Sequence, residues 1–100
     1  MEVQGTIIRV FDKRSGTTER GEWASQEYEI EYRDGNVIRK MMFEVRGVDR
    51  INRFAIKTGQ NVSVLFAIEC REYNGRIFNS VNAWDVRPVA EVAQASTDAI

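Results

Sequence analysis

Residues 41–66 read MMFEVRGVDRINRFAIKTGQNVSVLF, and the period of their apolar residues changes twice. Met41, Phe43 and Val45 alternate with Met42, Glu44 and Arg46, as in a strand with one buried face. From Val48 to Lys57 the spacing turns helical. Val48, Ile51, Phe54 and Ala55 recur on one side, Lys57 stands at the end that favours cations, and Gly59 offers a stop. Alternation then resumes, with Val62, Val64, Phe66, Ile68 and Cys70 facing inward against Ser63, Leu65, Ala67, Glu69 and Arg71. The stretch therefore predicts strand, one short amphipathic helix, strand.

Upstream, Trp23 to Tyr32 is a second alternating run. Ala24, Gln26, Tyr28, Ile30 and Tyr32 share the inner face, and Ser25, Glu27, Glu29 and Glu31 the outer, which also puts Trp23 outside. The RDGN of residues 33–36 joins this run to the strand at Lys40 to Arg46, with Asp34-Gly35 supplying the positive φ angles of a tight turn. Glu2 to Phe11 is rich in Val and Ile, and Gly5 interrupts it as a bend in a curled strand would. The polar segment from Asp12 to Glu22 reads as an exposed loop. At the other end, REYNGRIFNSVNAWDV (71–86) turns at Asn74-Gly75 into a fifth strand from Ile77 to Val86, which Pro88 ends.

Three strands, a helix, then two strands is the order of the five-stranded OB-fold, an all-β Greek-key barrel with its helix between strands three and four. An open β-meander covered by the helix is the alternative. The barrel is preferred because closure removes exposed sheet edges. The domain is expected to span 1–87, with 88–100 a flexible C-terminal tail rich in small residues.

Composition narrows the function. A chain of 100 residues fits one domain with one core. Its 43% apolar and 29% charged residues are ordinary for a globular protein, so disorder is not expected for most of the chain. No apolar run is long enough to span a bilayer, and the lone Cys70 agrees with a reducing compartment, so the expected location is cytoplasmic. The sequence has no histidine, which removes the commonest general base and the Ser-His-Asp arrangement. One cysteine without histidine leaves no ordinary zinc site, and Glu27, Glu29 and Glu31 on one exposed strand face do not flank a substrate. The glycine spacing of Gly16 to Gly21 continues into Glu22-Trp23 where a phosphate loop needs Lys-Ser/Thr. No enzyme, metal or cofactor is expected.

The net charge of −1 argues against strong non-specific attraction to nucleic acid, but its distribution is uneven. Between Arg33 and Lys57 stand seven basic residues against three acidic ones. Eleven of the fourteen basic residues are arginine, the better partner for phosphates and flat rings. Solvated faces with cross-strand charge pairs account for this segment as well as a binding groove does.

The opening MEVQGTIIRV, the RGEW at 20–23, the FEVRG at 43–47 and the ECREYNGRIFNSVNAWDV at 69–86 together resemble a small bacterial family of uncharacterised OB-fold proteins similar to single-stranded DNA-binding proteins. The resemblance covers roughly residues 1 to 87. It implies binding of single-stranded nucleic acid, DNA or RNA, by stacking of bases on aromatic rings and attraction of the backbone to cations. On an OB-fold the face of strands two and three, with the first and last hairpin loops, is the usual groove. The candidates there are Trp23 on strand two, Arg39, Lys40 and Arg46 on strand three, Lys13, Arg14 and Arg20 in the first loop, and Tyr73 and Arg76 at the last hairpin. Phe78 and Trp84 are expected in the core or at a subunit interface, because most large aromatics are buried. Met42 and Leu65 on outward faces point to a homo-oligomer. The rival reading is an oligomeric protein-interaction or scaffold domain that keeps the barrel without binding nucleic acid.

Overall fold

The computed structural model describes residues 1–89, in which six strands and one helix follow in the order β1 (Glu2–Val10), β2 (Arg14–Thr18), β3 (Gly21–Asp34), β4 (Val37–Arg46), α1 (Val48–Phe54), β5 (Asn61–Tyr73) and β6 (Arg76–Pro88). The strands form one sheet in the order β1-β5-β6-β4-β3-β2, and β1 also pairs with β3. That second pairing closes the barrel. β1 lies antiparallel to β5 over Glu2 to Thr6, then to β3 over Thr6 to Val10, so the strand passes from one side of the barrel to the other at Gly5-Thr6. Gly5 is required there, because a Cβ would run into the carbonyl of Glu31 on β3. This is an OB-fold, with its helix between the strands labelled β4 and β5.

The alternating residues of β3 and β4 meet as the pattern predicts. Tyr28 and Phe43 are cross-strand partners, both buried, with ring centroids 5.2 Å apart. Ile7, Ile30, Val45, Val62 and Val64 complete the fully buried centre. Gln26 on the same face is satisfied rather than apolar: its amide donates to the Phe11 carbonyl at 2.7 Å and its oxygen accepts from the Tyr28 hydroxyl at 2.9 Å.

Five details differ from the sequence reading. The segment at Asp12 to Glu22 is not all loop. Arg14 to Thr18 form β2, an edge strand on β3, for which apolar residues are unnecessary because its outer side meets water. The strand count is therefore six rather than five. The helix ends at Phe54, not Lys57, because Ala55 takes a left-handed φ of 45° and donates to the Ile51 carbonyl, which turns Ile56 into the core. Gly59 serves instead as the return to β1, its amide donating to the Ile7 carbonyl at 2.7 Å. In the β3–β4 turn the central pair is Gly35-Asn36, and only Gly35 has positive φ.

The fifth difference bears on function. β5 and β6 pair along their whole lengths to the turn at Asn74-Gly75, where both residues have positive φ. Burial nevertheless stops at Phe66 on β5 and Ala83 on β6. Ile68 and Cys70, expected inside, are exposed, and the hairpin beyond them is a two-stranded arm. Phe78 and Trp84, expected in the core or at a subunit interface, are 48% and 49% exposed and so stand outside the core. Trp84 is the extra residue of a β-bulge, since Leu65 pairs with Asp85 and Phe66 with Ala83. The bulge puts Ala83 rather than Trp84 into the core and reverses the facing of every β6 residue before it. The expected tail at 88–100 lies, beyond Val89, outside the described residues.

Candidate nucleic-acid interface

Cross-strand partners share a face, so the register maps the outer wall directly. Arg14 on β2, Ser25 on β3 and Arg46 on β4 form one row. Trp23, two residues before Ser25, stands on the same side and is 46% exposed. Its indole lies over Gly16, its partner on β2, and only a residue without a side chain admits the ring there. The next row, Glu27, Glu44 and Asn82, crosses from β3 through β4 to β6. Asn82 is opposite Ala67, and counting toward the turn the same face carries Glu69 with Ser80, Arg71 with Phe78, and Tyr73 with Arg76. The outer wall of the barrel and the outer face of the arm are one continuous surface.

That surface is concave beside Trp23. An open depression of about 510 Å³ is lined by Glu22, Trp23, Ser25, Glu44, Arg46 and Arg71, which brings together a flat ring, two guanidinium groups and two carboxylates from three strands. Lys13 and Gly16 flank Trp23 on its other side with Val48, and Arg50 of α1 joins Arg46 below. The two central arginines are held loosely. Arg46 meets Glu44 at 3.2 Å and Arg71 meets Glu69 at 3.9 Å, exposed pairs of the kind worth about 0–1 kcal/mol, so a phosphate displaces either carboxylate at little cost.

Of the residues singled out from sequence, Trp23 and Arg46 line this depression, Lys13 borders Trp23, Arg14 stands in the row of Ser25 and Arg46, and Tyr73 and Arg76 face each other at the arm's tip on the same side. Arg20 sits on the β2–β3 turn, three residues before Trp23. Two residues stand elsewhere. Lys40 shares the outer face but is opposite Glu31, about 20 Å along β4 from Arg46 by strand rise. Arg39 faces the other way, opposite Tyr32, and is tied to Asp34 at 2.7 Å. It does not converge with Trp23. Arg50, Arg71 and Phe78 were not among the candidates. Counting the register back from Asn74-Gly75 pairs Arg71 with Phe78, a signal present in the sequence.

Residues 2–87 match a protein family described as a domain of unknown function, DUF3127. The chain belongs to that family. Among curated proteins none matches the chain. Two solved structures share its fold. One is the small single-stranded DNA-binding protein from Streptomyces coelicolor, 14% identical, with 90% of this chain and 91% of that one covered and a TM-score of 0.52. The other is the mitochondrial single-stranded DNA-binding protein Rim1 from S. cerevisiae, 16% identical, covering 89% and 92%, with a TM-score of 0.59. At such identities the likeness establishes the OB-fold of this DUF3127 chain and no residue's role.

Proposed function

We propose that this DUF3127 protein is a non-catalytic cytoplasmic module that binds single-stranded DNA with little sequence preference. The reading rests on one observation: Trp23, Arg46 and Arg71 line a single open concavity continuous with the outer face of the arm. A base stacks on the Trp23 indole, for about 1–3 kcal/mol per base, and Arg46 and Arg71 take the flanking phosphates. Phe78 and Tyr73 offer further rings, and Arg76, Lys13 and Arg14 further cations, on the same surface. Every base has a flat face, so stacking of this kind is indifferent to sequence. The fold shared with two proteins named for single-stranded DNA binding supports the ligand class.

Quenching of tryptophan emission by an oligothymidine tests the reading, with a duplex and an oligouridine of equal length alongside. Binding to the thymidine oligomer that weakens as salt rises is the expected result. Equal or tighter binding of the uridine oligomer would move the assignment to RNA. Silence at low salt and tens of micromolar ligand would leave the scaffold reading, which the net charge of −1 favours.

A further inference from the structure

The concavity beside Trp23 carries more acid than phosphate binding explains. Glu22 and Glu44 line it together with Arg46 and Arg71, two carboxylates against two guanidiniums, where a groove serving phosphates alone gains from cations only. Glu44 also stands opposite Glu27 across β3 and β4, and like charges so placed weaken a sheet. Of these two, only Glu44 has an ion-pair partner among the described residues, Arg46. Next in the row, Asn82 donates its amide to Glu69 at 2.6 Å and leaves its own oxygen buried without a partner among the described residues. Apart from the arginines and the Ser25 hydroxyl, the wall below the ring therefore offers hydrogen-bond acceptors.

We propose that Glu44 reads the Watson–Crick edge of the base stacked on Trp23 and makes that position selective for guanine, a step that rests on the single-strand binding proposed above. Elsewhere on the surface stacking stays indifferent to sequence. Glu44 is half-buried and held: its Oε1 accepts from the Arg46 Nε at 3.2 Å. A carboxylate has two oxygens with about four acceptor positions, so this bond leaves room for two further donors side by side. A phosphate that takes Arg46 removes Glu44's own partner. The base then supplies the donors that the carboxylate has lost, and the two contacts form as a pair.

The chemistry of the base edges sets the choice. Guanine presents two adjacent donors, N1–H and the N2 amino group, at the spacing of a carboxylate's two oxygens, so both bonds form at once. Adenine and cytosine present one amino donor beside a bare ring nitrogen, whose lone pair a carboxylate repels. Thymine has a single N3–H between two carbonyl oxygens and no amino group, which makes it the poorest fit. A bidentate pair of this kind separates the right base from the wrong one by about tenfold or more.

Thymidine oligomers in which one central base is guanine, inosine, adenine or cytosine test this on the full chain, by competition against a dye-labelled oligothymidine. A single guanine per strand avoids the self-association of guanine runs. The guanine strand is expected to bind about tenfold tighter than the all-thymidine strand, and inosine, which lacks the N2 amino group, to lose most of that gain. Glu44→Ala should erase the difference between guanine and thymine while tightening the thymidine strand, because Arg46 is freed. Glu31→Ala, which removes the same charge opposite Lys40 at the far end of the wall, should keep the difference. Equal binding of all the strands by wild type, a guanine gain that inosine keeps in full, or a guanine preference that survives in Glu44→Ala overturns the assignment and leaves the binding surface standing. Failure of every strand to bind overturns both.

Discussion

The indole of Trp23 lies so close over Gly16 that a Cβ on Gly16 would stand 2.6 Å from its Nε1 atom. The two residues are partners across the β2–β3 ladder, so the glycine's missing side chain sets the angle at which the ring faces the concavity. Gly16→Ala should push the flexible end of the ring outward at a stability change within about 1 kcal/mol, the usual range for surface sites. A red-shifted tryptophan emission together with weaker binding of oligothymidine is the expected pair of signals. Trp84, half exposed elsewhere, is best replaced by phenylalanine for this measurement.

Trp23→Ala should weaken oligothymidine binding by about 1–3 kcal/mol, the range for one stacked base, with little change in the unfolding midpoint because the ring contributes no buried core. Calorimetric unfolding and a competition titration separate the two effects. A collapse of the midpoint would show that the ring is structural.

Arg46→Glu or Arg71→Glu should lower affinity and flatten its salt dependence, each phosphate contact contributing a slope of about 0.7 on single strands. Arg39→Glu should leave both unchanged, because Arg39 faces the opposite side beside Asp34. Titrations at several salt concentrations check the three variants together.

Burial pushes the Tyr28 hydroxyl from its ordinary value of 10.0 up to about 12. A folded value above the unfolded one means that the native state holds the proton more tightly. This contribution is complete below pH 10 and is lost as pH rises from there through about 12, an effect on the order of 2 kcal/mol. Urea unfolding from pH 8 to 11.5 should therefore show a steeper alkaline decline in wild type than in Tyr28→Phe, which has no proton to lose.

Gly5→Val should be the most damaging substitution in β1. Its side chain meets the Glu31 carbonyl, a backbone atom that cannot yield without opening the β1–β3 closure. A loss of about 3 kcal/mol or more is expected by chemical denaturation, as for overpacking elsewhere in tight structures.

The barrel was legible because its determinants are local. The two periods, the bend at Gly5 and the turn at Asn74-Gly75 each act within a few residues. What escaped were effects of pairing. β2 has no apolar signal, since an edge strand on a charged wall needs none. The bulge at Trp84 shifts the facing of Phe78, which alternation counted back from Val86 hides and the count from Asn74-Gly75 reveals. Arg39 and Arg46 look equivalent on one strand, yet odd and even positions point to opposite faces, and parity alone would have separated them. Arg71 became a site residue because the arm brings it beside a concavity built by β3 and β4.

In the proposed function one surface, the outer wall beside Trp23 with the outer face of the arm, carries the nucleic acid. Mapping amide chemical shifts while adding an oligothymidine reads that surface residue by residue. Changes concentrated at residues 13–16, 22–25, 46–50 and 69–78 are expected. Changes centred on residues 31–40 at the far end of β3 and β4, or confined to the inner side of the sheet, would contradict it.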